Sequence, residues 1–145
     1  MKRFIILISV LSLASLLTFN CSGIDLRLSD SEEELICRFA NAEAGENAPI
    51  AVKLGVIRVA LNRLADSGYP DSLAEVIFQP GAFECVGNGR INFSFSHSAV
   101  VSARDALRLA LLGRDPTEGA LNFSPPSDTP PPFKVSFEAG GYLFG

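Results

Sequence analysis

Histidine is all but missing from this chain: His97 stands alone among 145 residues. Protein zinc sites commonly draw on several histidines, so a multi-histidine metal centre is excluded. Ser-His-Asp or Cys-His nucleophile chemistry would have to use His97 itself. Cysteine is nearly as scarce, and Cys21, Cys37 and Cys85 do not have the spacing of a metal site. Cys37 and Cys85 could pair or stand as buried thiols, because spacing alone supplies no geometry. Basic residues are also in deficit, 12 Lys and Arg against 16 Asp and Glu, and two of the cations are Lys2 and Arg3 at the start. A chain this acidic lacks the basic patch that phosphates demand, which argues against a nucleic-acid partner. An uncharged polymer such as a glycan remains compatible. There is no internal repeat.

Long apolar runs are confined to one place. Met1-Lys2-Arg3 is followed by Phe4 to Phe19 without a charge, long for the apolar core of a secretory signal and short for a spanning helix. Residues 1–23 therefore read as a signal peptide, with cleavage near Cys21-Ser22-Gly23. A retained membrane anchor or a lipid on Cys21 are the competing readings. Residues 24–145 then form one exported, extracytoplasmic domain, tethered to the membrane if the segment is kept.

Within that domain, Ser29 and Glu32 make a capping box that opens a helix. Leu35, Ile36, Phe39 and Ala42 give it a buried face, and Gly45 ends it, which puts Glu43 on the last turn. Pro49 suits a helix start, and Ile50 to Leu64 is apolar nearly all round, the pattern of a central helix. Gly55 inside it implies a close packing contact, since glycine there costs about 1 kcal/mol relative to alanine. Asp71 is expected to cap a short helix ending at Ile77 or Phe78. Gln79 to Asn92 reads as loop, and Ser96 or Ser98 opens a third long helix through Leu111, with Val100, Val101, Leu107 and Leu111 on its buried side. Ala120–Phe123 and Tyr142–Phe144 are strand candidates separated by a proline-rich connector. The fold class is α+β, predominantly α-helical, with a small two-stranded β element.

A carboxylic acid that donates a proton near neutrality needs an environment that lets it hold one. Glu43 has apolar neighbours in Phe39, Ala42 and Ala44, and Glu46 lies one turn on. On these grounds alone it is a candidate acid, and a solvated helix-end glutamate is the plainer alternative.

Five elements occur in order: Ala42-Glu43-Ala44-Gly45-Glu46; Val59-Ala60-Leu61-Asn62-Arg63-Leu64; Val76 to Phe83, reading Val-Ile-Phe-Gln-Pro-Gly-Ala-Phe; Ala103-Arg104-Asp105-Ala106-Leu107; and Asp115-Pro116-Thr117-Glu118-Gly119-Ala120-Leu121-Asn122-Phe123. Together they resemble the cell-wall hydrolase family that includes the spore-cortex-lytic enzymes, across about Glu33 to Phe144. The resemblance implies a lysozyme-related helical domain that cleaves peptidoglycan glycan strands between N-acetylmuramic acid and N-acetylglucosamine. It implies a lytic transglycosylase with Glu43 as its catalytic acid, and neither cofactor nor metal is expected. Glu46 and Asp115 could supply a second carboxylate, though neither is assigned. Glu46, Gln79, Asn122 and Tyr142 are expected along the glycan groove. Phe83 and Phe123 could stack on sugars or pack in the core, and Asn62 and Arg63 would tie the second helix to its surroundings. A zinc amidase would need more histidines. The chain departs from the family pattern where Ala44-Gly45-Glu46 lacks an arginine and where Tyr142 replaces a histidine. These departures motivate the alternative of a wall-binding or regulatory domain of the same fold with impaired turnover.

Overall fold

A computed structural model describes residues 26–145, so the expected signal or anchor at residues 1–23 lies outside the described residues. Ser29 caps the first helix, α1 (Asp30–Ala44): its hydroxyl accepts from the Glu32 amide while the Glu32 carboxylate accepts from the Ser29 amide. Such a cap contributes about 1 kcal/mol. After α1 come α2 (Ile50–Ala65), α3 (Leu73–Phe78), α4 (Glu84–Gly87), a 3-10 turn at Arg90–Asn92, and α5 (His97–Leu111). α2 runs through the middle, packed on α1 and α5 and touching α3. Its all-round apolarity is thus consumed, with Val52, Leu54, Val56, Ile57, Val59, Ala60 and Leu61 all buried.

Three expectations need correction. Ser72, not Asp71, caps α3, its hydroxyl accepting from the Glu75 amide. The stretch read as loop holds α4 and the 3-10 turn. On α5, Ala99, Ala103, Ala106, Leu107 and Ala110 are buried, whereas Val101 and Leu111 are exposed and Val100 is half-buried. Large apolar residues dominate a helical pattern, but small residues are what let α5 sit close on α1 and α2.

The sheet has one strand more than expected. β1 (Phe123–Ser124), β2 (Phe137–Ala139) and β3 (Tyr142–Phe144) are antiparallel in the order β1-β3-β2. Gly140 and Gly141 both adopt positive φ, 54° and 81°, the pattern a two-residue hairpin requires. The chain reverses there, so Ala139 faces Tyr142 and β2 forms. Phe144 on the central strand is fully buried, flanked by Phe123 and Phe137 at ring separations of 6.0 and 5.7 Å. Burying such a ring contributes about 2–3 kcal/mol.

The Phe144 ring lies over Gly55, and a Cβ built there would stand 2.5 Å from its Cζ. Gly55→Ala would gain about 1 kcal/mol of helix propensity. Overpacking a core typically costs 1–3 kcal/mol, and displacing Phe144 would disturb the whole sheet. We therefore expect Gly55→Ala to be a net loss of about 1 kcal/mol, and Gly55→Val a clearly larger one, both measurable by thermal melting.

Candidate active site

Glu43 occupies the last turn of α1, whose end is set by Gly45 at φ 94°. Two distant segments converge on it. From β3, the Tyr142 hydroxyl donates to the Glu43 carbonyl at 3.0 Å and lies 3.5 Å from that of Ala44. Those carbonyls belong to the unsatisfied C-terminal set of the helix, so the phenol acts as a side-chain cap. From α4, the Cys85 amide donates to Glu43 Oε1 at 2.7 Å. That contact fixes the position of the Glu43 side chain.

Two neighbouring groups are shifted in part by Glu43. Burial first, then a hydrogen bond to the Glu43 carboxylate and its charge, push the Cys85 thiol far above its ordinary value, so it stays protonated. Burial, followed by the Glu43 charge, raises the Tyr142 phenol. Arg90 opposes both shifts, which places a guanidinium in the same neighbourhood. Cys37 and Cys85 are buried free thiols and are not bonded to each other. Among the described residues, no group of three or more His, Cys, Asp or Glu could hold a metal.

The other expected site residues are distributed unevenly. Tyr142 does reach Glu43, through its main chain. Phe123 is half-buried beside it, with ring centroids 6.3 Å apart. Phe83 is buried, edge-on to Phe39 at 4.6 Å, with the Arg63 guanidinium over its ring at 4.6 Å and Phe123 stacked at 6.0 Å. With its faces occupied in this way, Phe83 packs instead of presenting a surface to a sugar. Asn122 is exposed and its main chain pairs with Gly145 in both directions. Its Oδ1 stands 3.5 Å from Arg63 Nη2. Gln79 is exposed at the C-terminal end of α3, in the segment leading to α4. Glu46 is engaged elsewhere: its carboxylate accepts from the Ser96 amide at the start of α5 at 2.6 Å, and its carbonyl accepts from Lys53 Nζ. Lys53 is fully buried, and that burial lowers its pKa against the pull of Glu46.

Asp115, the other acid named as a possible second carboxylate, is also engaged in hydrogen bonds. It accepts from the Thr117 amide and hydroxyl, the Gly119 amide, the Asn62 amide group and Arg58. Asn62 also donates to Ala120, and Arg63 to the Leu121 carbonyl at 2.7 Å, so both residues tie α2 to the loop ahead of β1, as expected.

From sequence, Cys85 reads only as a disulfide partner or buried thiol, and neither it nor Arg90 is expected beside Glu43. Cys85 meets Glu43 across 42 positions, through a four-residue helix with no periodicity of its own, and Arg90 follows a turn rich in glycine. Only the closed fold makes either visible.

A predominantly helical domain with a small sheet, and a glutamate at the end of its first helix beside that sheet, defines the lysozyme-like class. Residues 47–139 match the family model described as Cell Wall Hydrolase, and the chain belongs to that family. Glu43 lies just ahead of the matched range. The chain is 34% identical over 98 residues to a spore cortex-lytic enzyme of Halalkalibacterium halodurans, covering 68% of this chain and 28% of that protein. It is 35% identical over 104 residues to one of Bacillus subtilis, covering 71% and 32%. The chain thus spans about a third of the length of these curated relatives. Among solved structures it is similar to the catalytic domain of the Bacillus cereus SleB protein, with TM-score 0.62 and 29% identity, covering 83% of this chain and 95% of that one. The catalytic domain of the germination-specific lytic transglycosylase SleB from Bacillus anthracis matches with TM-score 0.65 and 25% identity, covering 81% and 95%.

Proposed function

We propose that this chain cleaves the glycan strand of peptidoglycan between N-acetylmuramic acid and N-acetylglucosamine, as a lytic transglycosylase with Glu43 as its one catalytic carboxyl group. The observation that carries this reading is the double grip on Glu43, its carboxylate by the Cys85 amide and its main chain by Tyr142. A proton donor fixed at both ends is preorganised, and that is where catalytic positioning comes from. Family membership and the near-complete coverage of two SleB catalytic domains support the same substrate.

The chemistry needs one acid that later serves as base. Glu43 protonates the leaving glycosidic oxygen as the bond to C1 of the muramic acid breaks. The carboxylate so formed takes the proton of the same sugar's C6 hydroxyl, whose oxygen closes on C1 to give a 1,6-anhydro ring. Glu43 ends as it began. A two-carboxylate glycosidase would hold its pair about 5–9 Å apart, and the two acids considered for that role are bound into Ser96 and into the Asp115 network. Phe123 and Tyr142 would wall the sugar beside Glu43, with Gln79, Asn122 and Glu46 as outer contacts. The work is done outside the cytoplasmic membrane, with residues 1–23 as signal or tether. Among the described residues no helix is long and apolar enough to cross a membrane.

Mass spectrometry of muropeptides released from purified cortex and vegetative peptidoglycan tests this. Anhydro-muramic ends are expected, reducing ends would mean hydrolysis by water, and binding without product would make the chain a wall-binding domain. Tyr142→Phe keeps the ring and removes the clamp. It should cost about 1 kcal/mol of stability and about ten-fold in kcat with KM nearly unchanged, since a loosened acid is misplaced in the transition state. Steady-state kinetics beside a melting curve separates the two effects.

A further inference from the structure

Arg63 is buried, 8% exposed, and no carboxylate among the described residues pairs with it. A buried charge is costly, and an apolar side chain would fill the same place without that cost. The guanidinium supplies contacts in several directions instead. Its Cζ lies over the Phe83 ring at 4.6 Å and over the Tyr69 ring at 5.1 Å. Its Nε donates to the Leu121 carbonyl at 2.7 Å, and its Nη2 stands 3.5 Å from Asn122 Oδ1. These contacts lead to Glu43 by two routes. Phe83 immediately precedes α4, which has four residues and no side-chain cap. A helix that short does not hold itself together, so its placement rests on the buried side chains of Phe83 and Cys85. Two residues beyond Phe83, the Cys85 amide holds Glu43 Oε1 at 2.7 Å. Leu121 and Asn122 lie directly ahead of β1, whose Phe123 ring is 6.0 Å from Phe83 and 6.3 Å from Tyr142. Tyr142 in turn holds the Glu43 main chain.

We propose that Arg63 is a positioning residue for cleavage, an inference that rests on Glu43 being the catalytic acid. One guanidinium spans the segment that presents the Cys85 amide and the segment ahead of the strand beside Tyr142. It therefore sets the two grips on Glu43 against each other. Being buried, it acts on the reaction only through these segments. The role needs an arginine. A lysine ammonium keeps the charge and can reach the Leu121 carbonyl, but it lacks the flat face that lies over Phe83 and the second donor edge towards Asn122. Lysine should hold the fold and lose the placement.

The test compares Arg63→Lys and Arg63→Met with the parent in the full chain. Each is assayed on peptidoglycan well below its melting temperature, with the Cys85 amide followed by NMR. Turnover per folded molecule should fall about ten-fold in Arg63→Lys and further in Arg63→Met, with KM within about two-fold of the parent, because a misplaced acid is felt in the transition state. The Cys85 amide proton should move upfield in both, towards its position in Glu43→Ala, as its bond to the carboxylate lengthens. In a Glu43→Gln background, Arg63→Lys should lower the residual turnover by less than about two-fold, since a residue that acts through Glu43 has nothing left to act on. If Arg63→Met does not fold, Phe83→Leu takes its place, because it fills the space without a flat ring and should give the same upfield shift and kcat loss. A merely structural role lowers the melting temperature and keeps kcat per folded molecule. That result, an unmoved Cys85 amide, or a full ten-fold loss in the Glu43→Gln background overturns the assignment. Turnover unaffected by Glu43→Gln sinks the catalytic reading, and the Cys85 amide in Arg63→Lys then still decides whether Arg63 places that contact.

Discussion

Glu43→Gln is expected to lower turnover on peptidoglycan by about 10³-fold while leaving the fold in place. Such a loss corresponds to about 4 kcal/mol of transition-state stabilisation. The amide keeps the shape of the acid and an oxygen that can still accept from the Cys85 amide. The Tyr142 clamp is on the main chain and does not depend on the side chain at all. What the variant lacks is a proton to give to the glycosidic oxygen and a charge with which to take one from the C6 hydroxyl. Activity within ten-fold of the parent would sink the single-acid mechanism.

A second readout tests the geometry without any turnover. The chain has two tyrosines and no tryptophan, so phenol ionisation can be followed cleanly by ultraviolet absorbance. Tyr142 is raised first by burial and then by the Glu43 charge. In Glu43→Gln the burial remains and the charge goes, so the phenol should titrate lower than in the parent yet still above its ordinary 10.0. An unmoved titration would mean that Glu43 does not face Tyr142.

Local chemistry was readable where it is self-contained. The Ser29–Glu32 capping box, the stop at Gly45 and the central apolar helix each depend on residues within a few positions, and each stands as expected. Gly55 was legible as a close contact, although only the fold supplies Phe144 as its partner. On α5 Leu107 is buried as expected, whereas Val101 and Leu111 are exposed, because periodicity favours large apolar residues and here alanines mark most of the contact. β2 was missed because its signal is the glycine pair beyond it, hidden at the end of a proline-rich stretch. At the site, the position of Glu43 on a last turn followed from helix grammar. Its partners did not, since Cys85 and Tyr142 are 42 and 99 residues away. Pairings at that distance leave no trace in spacing.

Asp115→Ala is expected to cost about 2–3 kcal/mol of stability, the range for leaving partly buried donors without their acceptor. Its Oδ1 accepts from the Thr117 amide at 2.9 Å and from the Thr117 hydroxyl at 2.6 Å. Its Oδ2 accepts from the Gly119 amide at 3.0 Å, from Asn62 at 3.1 Å and from Arg58 at 3.4 Å. Five donors, on α2 and on the loop after α5, therefore depend on one carboxylate. The Arg58–Asp115 pair is mostly shielded, with side chains 20% and 17% exposed, and Arg58 Nε already lacks a partner. Alanine would leave the guanidinium with the Asn62 amide oxygen and the Ala110 carbonyl, and without a counter-charge. Melting should fall by roughly 10 °C or more for a domain of this size, and Asp115→Asn, which keeps one acceptor oxygen, should fall by less. Burial alone would raise this carboxyl, but the Thr117 hydroxyl, Arg58 and Asn62 outweigh it and hold the group below its ordinary 3.8. Because the folded value is the lower one, the stabilisation is present above pH 3.8 and is lost as pH falls through the folded value. Parent and Asp115→Ala melting temperatures should therefore converge in strong acid and separate as pH rises through that window. Turnover per folded molecule should stay within a few-fold of the parent at a temperature where both are folded. A catalytic second carboxylate would behave in the opposite way, with turnover lost and the melting curve kept.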